Sequence, residues 1–469
     1  MKIKELVRKG RISQLKINNF SQDKIDEIIT AIAWEIIKPE NNIMLCEMAV
    51  KDTGLGNVRD KILKNKRKTI GLLRDLKNIK TLGIISKDTK KGLTYIARPV
   101  GLIGAMTPAT NPIATSLNKI INALKCRNAI ILSPSPKAAK VCVKIVNLTH
   151  KALRRVGAPI HLVQSLPPFS NMMDTIELFG LVDLVVATGA QYNIKKAIET
   201  GTPTLGVGVG NVPSIVDANA NLVDAAKKIK ISKTFDNSTS CSSENSVIII
   251  SSVYKKFMNY LEKEGGVLLD SKEKKILAKK MWDKNSILNR DIIAKEASKI
   301  ASAIGFNNKK YQKAKFLMVS EKGVGPKYSF SAEKLSPVLT VYKVNNFSQA
   351  LKLAKKILKY QGQGHSCGIH SNNKKNILKI GKELPVSRVI VNQIHSFATG
   401  GSFDNGLPFS LSMGCGTWGK NIFDENLNYN HFLNITKIVE KIKINQPTEY
   451  EIFREYWKKY PSVSMRKNH

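Results

Sequence analysis

Pro99-Val100-Gly101-Leu102-Ile103-Gly104 is an apolar run too short for a helix, and helical periodicity over 112–126 follows it. The alternation then continues: Ala129 to Leu132, a helix over 136–154, His161-Leu162-Val163, Leu181 to Val186, a helix over 190–200, and Thr204 to Val207. Short strands separated by amphipathic helices predict an α/β fold with a parallel, doubly wound sheet. Upstream, Ile25, Ile28, Ile29, Ile32 and Ile36 repeat at helical spacing, and 82–100 reads as a hairpin on a polar turn. Downstream, a second α/β block runs from about 214 to 410, within which the lysine-rich stretch 266–330 shows no strand that can be placed. Residues 411–445 follow a glycine-rich turn and read as a return to the first domain, and 446–469 as a peripheral tail.

The chain has 469 residues, 42% of them hydrophobic, enough to bury one large or two moderate cores. It holds no apolar run of 18 residues and no apolar secretory leader at its N-terminus, so a cytoplasmic protein is expected. Six cysteines stand without CxxC spacing, which points to reduced thiols and to neither a disulfide frame nor a metal site. The net charge of +39 invites a nucleic-acid-binding reading. That reading predicts clustered Lys and Arg interleaved with aromatics, whereas here the lysines are spread along the whole chain. Biased codon usage explains the charge better, although a positive field would still gather anionic substrates.

Chemistry concentrates at Ser232-Lys233-Thr234-Phe235-Asp236-Asn237-Ser238-Thr239-Ser240-Cys241, just before the apolar run Val247 to Ile250. A structural cysteine usually lies inside an apolar run, whereas Cys241 stands in a hydroxyl-rich turn that a substrate can reach. Thr107-Pro108-Ala109-Thr110-Asn111-Pro112 joins a strand to a helix. Asn111 is either the N-cap of that helix or an amide donor to an oxyanion. Ala187-Thr188-Gly189 ends a strand at a helix start, where a cofactor phosphate can bind. Gly206-Val207-Gly208-Val209-Gly210-Asn211-Val212-Pro213 is either a tight connection or a loop against a ligand.

Together with Arg127 to Pro136, Glu333-Lys334-Leu335-Ser336-Pro337, Gly364-His365 and Gly414 to Gly419, these segments resemble the aldehyde dehydrogenase superfamily, in its CoA-acylating branch, over roughly 40–440. The resemblance implies a nicotinamide-binding domain over 1–213 and a catalytic domain over 214–410. It also implies an oligomerisation arm from the hairpin 82–100 and part of 411–445, in a homodimer or homotetramer. By the same resemblance Cys241 is the nucleophile, Asn111 the oxyanion donor and Glu333 the acid that holds the nicotinamide ribose. Thr107, Thr188, Gly189 and Gly208 fall along the cofactor cleft, and Ser133 and Pro134 on its adenosine side. His365 matches a histidine of the acylating branch that acts on the CoA thiol; its alternative is a loop histidine bonded to backbone.

The hydrolytic members carry a glutamate in the segment corresponding to 205–211, and here that segment has no carboxylate. Glu199 and Asp217 lie outside it, and Glu244 reads as a structural strand-edge residue. The expected reaction is therefore oxidation of an aldehyde to its acyl-CoA through a cysteine thioester, with NADP or NAD. No acid stands at 136 to repel a 2′-phosphate, and Lys137 is placed to contact one. Val391 to Gly406, rich in glycine and hydroxyls, falls where the family builds its aldehyde pocket and can form an anion nest. With the Cys241 turn and the tail from Pro447, it resembles the acylating sulfoacetaldehyde dehydrogenases. An acetaldehyde or propionaldehyde enzyme is the alternative. The chain departs from the common pattern at Ala190-Gln191, which lacks a second glycine, and at Lys420 after Gly419.

Overall fold

The computed structural model describes residues 3–283 and 287–463. It comprises two units, Met1–Thr81 with Pro99–Leu433, and Leu82–Arg98 with Asn434–His469. The strands in chain order begin with β1 (Gly83–Asp88), β2 (Leu93–Pro99), β3 (Leu102–Thr107), β4 (Ala129–Pro134) and β5 (Val163–Ser165). Then come β6 (Leu184–Ala187), β7 (Thr204–Gly206), β8 (Val212–Val216), β9 (Glu244–Ile250) and β10 (Gly266–Leu268). The last five are β11 (Phe316–Ser320), β12 (Val338–Val344), β13 (Cys367–His370), β14 (Val389–Val391) and β15 (Leu433–Val439).

In the larger unit, five parallel strands lie in the order β5-β4-β3-β6-β7. The order reverses at β3 and β6, so the ends of these two strands, Thr107 and Ala187, flank a topological switch point of the kind where doubly wound sheets bind ligands. A second parallel sheet has the order β10-β11-β12-β9-β8-β13-β14. Its central strand β9 is buried at all seven positions, as a strand covered on both faces must be. In the smaller unit β1, β2 and β15 form a three-stranded sheet, and β15 is exposed at six of its seven positions. No helix among the described residues is long and apolar enough to cross a membrane.

Two local expectations are corrected. The apolar run from Leu181 is not a strand throughout: the helix Met172–Leu181 runs into it and β6 begins only at Leu184. Asp183 is the cause, because its carboxylate accepts the Leu102 N–H at 2.7 Å and Arg11 at 2.9 Å and anchors the turn outside the sheet. The stretch 266–330 contains β10, the helix Ser271–Met281 and β11, elements whose small length hid their periodicity.

Candidate active site

Three consecutive residues before the candidate nucleophile, Asp236, Asn237 and Ser238, have φ of 50°, 51° and 61°. Left-handed backbone costs about 1–2 kcal/mol per non-glycine residue, so the turn persists only because its surroundings hold it. The buried Asp236 carboxylate accepts the Asn57 N–H at 2.9 Å, Lys61 at 3.0 Å and Lys64 at 2.5 Å, and Thr239 Oγ1 at 2.7 Å. Ser238 Oγ donates to the Lys233 carbonyl, and the Asp236 N–H donates to Asp60 at 2.7 Å. The helix Val58–Leu76 thus clamps the turn and delivers Cys241, half-buried, ahead of β9.

Burial, with the nearby Glu333 and Cys415, pushes the Cys241 thiol up to about 12. Cys241 is therefore a neutral thiol in the free protein, and the side chain of His365 stands beside it. Its Nε2 lies 3.3 Å from Cys241 Sγ and its Nδ1 2.8 Å from Ser366 Oγ. Burial, aided by Arg388 and His395, lowers His365 to about 3, so the imidazole is neutral. Arg388, which the sequence did not single out, fixes this loop: it donates to the His365 carbonyl at 3.1 Å, the Gly414 carbonyl at 2.8 Å and Asn426 at 2.9 Å. Gly364 has φ of +86°, and a Cβ there would stand 2.0 Å from the Cys415 carbonyl oxygen.

Asn111 precedes the helix Pro112–Lys125 but makes no side-chain cap. Its Oδ1 instead accepts from Lys64 Nζ at 2.6 Å, which turns the amide and commits its Nδ2 to donate elsewhere. Lys64, also 3.0 Å from Thr239 Oγ1, therefore links the amide to the Cys241 turn. Sequence alone gave no signal for it, because its partners lie 47 and 172 residues away.

The glycine loop after β7 closes the other side. A Cβ on Gly210 would fall 2.2 Å from the Cys241 carbonyl oxygen and 2.7 Å from its Cβ, and one on Gly208 would fall 2.7 Å from Cys415 Sγ. The loop thus offers Cys241 neither a carboxylate nor space for one. Glu244 is not a strand-edge residue but lies fully buried at the start of the central strand β9, where burial raises its carboxyl to about 7. Glu333 is likewise raised by burial to about 8 and acts on Cys241 through space; its N–H donates to Gln361 at 2.8 Å.

Of the cofactor candidates, Thr107 ends β3 with a buried Oγ1 that has no partner among the described residues. Thr188 Oγ1 is 2.6 Å from Ser412 Oγ, and a Cβ on Gly189 would approach Met106 Sδ to 3.3 Å, so the glycine lets this turn pack closely on β3. Ser133, bonded to Thr175 at 2.8 Å, lines a cleft with Pro134, Leu166 and Pro167. Lys137 is exposed at the rim, in the turn Pro136–Ala138. An unpaired hydroxyl at the end of β3, a glycine turn after β6 and a cleft one strand away fit a dinucleotide.

Residues 2–268 match the model of the aldehyde dehydrogenase family. The chain is 49% identical over 452 residues to a sulfoacetaldehyde dehydrogenase (acylating) of Cupriavidus necator, covering 96% of this chain and 92% of that protein. It is 40% identical to a sulfoacetaldehyde dehydrogenase (acylating) of Bilophila wadsworthia, covering 98% and 99%. The crystal structure of an acetylating aldehyde dehydrogenase from Geobacillus thermoglucosidasius superposes with a TM-score of 0.91 at 34% identity, over 95% of this chain and 98% of that one.

Proposed function

Since this chain belongs to the aldehyde dehydrogenase family, we propose that it is a CoA-acylating oxidoreductase converting sulfoacetaldehyde to sulfoacetyl-CoA through a thioester on Cys241. One observation carries the choice of acceptor: the loop that presses Gly210 on Cys241 has no carboxylate, while a neutral histidine stands 3.3 Å from Sγ. Water needs a base positioned to activate it, whereas a thiol, far more acidic, needs only a modest acceptor.

Cys241 Sγ attacks the aldehyde carbon as its proton passes to His365 Nε2. Asn111 Nδ2 and the Cys241 backbone N–H donate to the resulting oxyanion, and Lys64 keeps the amide aimed. NAD or NADP, when bound, supplies the hydride acceptor. Thr107, Thr188, Gly189 and Gly208 would hold it along the switch point, Glu333 at its nicotinamide ribose, and Ser133, Pro134 and Lys137 at the adenosine end. The acyl group is left on Cys241. His365 is too weakly basic to retain the first proton and passes it to solvent; the same nitrogen then takes the proton of the incoming CoA thiol and returns it to the Cys241 sulfur, which departs as the acyl–sulfur bond is exchanged.

The five-stranded sheet is the cofactor domain on this reading and the seven-stranded sheet the catalytic one, in a cytoplasmic enzyme with six unpaired cysteines. The smaller unit serves assembly of a homodimer or homotetramer. A CoA-dependence assay tests the reaction: NAD and NADP reduction by sulfoacetaldehyde should require CoA and yield one thioester per reduced nucleotide. Reduction at full rate without CoA would overturn it.

A further inference from the structure

The helix Val58–Leu76 presents Lys61, Lys64, Arg67 and Lys68 at i, i+3, i+6 and i+7, a basic stripe that the mechanism above uses only at Lys64. Asp236 forms ion pairs with both Lys61 and Lys64. Arg67 and Lys68 have no ion pair among the described residues, and the nearest acids acting on them are Asp404 and Asp75, through space. Lys68 is buried against the aldehyde-pocket segment, donating to the carbonyls of Gly400 at 2.5 Å and Gly401 at 3.2 Å. Arg67 Nη2 donates to Ser402 Oγ at 2.9 Å and to the carbonyls of Phe397 at 3.3 Å and Gly401 at 3.4 Å. Its guanidinium lies 4.4 Å from the centroid of Phe397, which packs edge-on at 4.7 Å against Phe235 of the Cys241 turn. Arg67 Nε and Nη1 have no protein acceptor among the described residues.

A half-buried guanidinium, stacked on an aromatic and short of acceptors, is a waiting anion site. Along the helix Arg67 follows by about one turn, roughly 5 Å, the lysine that holds the oxyanion donor. An aldehyde whose carbonyl meets Asn111 would extend a group one methylene further to Arg67. We propose that Arg67 is the specificity-determining residue for a terminal sulfonate, with Ser402 beside it and Lys68 fixing the Gly400–Gly401 turn that shapes the subsite. A sulfonate is a weakly basic oxyanion that remains charged, and the guanidinium suits it better than a strongly hydrated ammonium does. This rests on the assignment of sulfoacetaldehyde as substrate.

The test compares the purified full-length chain with Arg67→Met and Arg67→Lys on sulfoacetaldehyde, propionaldehyde and succinate semialdehyde, all with CoA. The ratio of kcat/KM for sulfoacetaldehyde over propionaldehyde should fall roughly 10–100-fold in Arg67→Met, mainly through KM. Arg67→Lys should restore part of it. Equal losses on both aldehydes would make Arg67 merely structural and overturn the subsite, while the wild-type preference for sulfoacetaldehyde kept the substrate assignment intact. A wild-type preference for propionaldehyde would instead overturn the substrate assignment, and one for succinate semialdehyde would replace the sulfonate by a carboxylate. Should Arg67→Met fail to fold, the wild-type protein still decides: ethanesulfonate at constant ionic strength should slow alkylation of Cys241, and no protection would count against the subsite.

Discussion

Cys241 and His365 form a pair in which both members are neutral, and the cause is the same for each. Burial opposes the thiolate and it opposes the imidazolium, so charge separation is deferred until an aldehyde arrives to take the sulfur's electrons. The free enzyme should accordingly be a slow target for alkylating agents. Because thiolate is scarce below a pKa near 12, inactivation by iodoacetamide should accelerate by nearly tenfold per pH unit across the range from 7 to 10. A rate that levels off by pH 8 would show that the thiol ionises as an ordinary cysteine does. Asn111 illustrates a different residue-scale lesson, since its two sequence readings, cap and donor, are separated only by the Lys64 bond that takes its oxygen.

Among elements, the loop after β7 packs directly on Cys241. Gly210 is pressed so closely on Cys241 that Gly210→Ala must displace the nucleophile or the loop. A shift of about 1 Å at a reacting centre costs roughly 10²-fold in rate. We therefore expect kcat to fall by about that factor, read by steady-state turnover, with nucleotide binding, followed by tryptophan fluorescence, little changed. Much of this scale was legible in the sequence. The alternation from residue 96 onward carried the doubly wound sheet, because strands covered on both faces are written as plain apolar runs. Cys241, the missing carboxylate and Gly364-His365 are local features and could be read one segment at a time. The basic stripe of Val58–Leu76 was not legible: on a helix, lysine and arginine at these spacings look like an ordinary solvated face. Only Asp236, Asn111 and Gly400, brought in from distant segments, reveal that the stripe faces inward.

For the whole molecule, the smaller unit exposes Ile435, Ile438, Val439, Ile442 and Ile444, more apolar surface than a free sheet of this size would keep in water. Replacing Ile438 and Val439 together by aspartate should lower the sedimentation coefficient to that of a single chain. A double variant that still sediments with the wild-type protein would place the subunit contact elsewhere. The arrangement around Cys241 also has a consequence for biosynthesis. Burial suppresses its ionisation, and Glu333 and Cys415, which add to that effect, are translated after it. Until they fold into place, residue 241 is an ordinary cysteine with a pKa near 8.5. The nascent chain is thus more open to oxidation and stray electrophiles than the folded protein, and damage to the Cys241 sulfur should fall mainly on newly made protein.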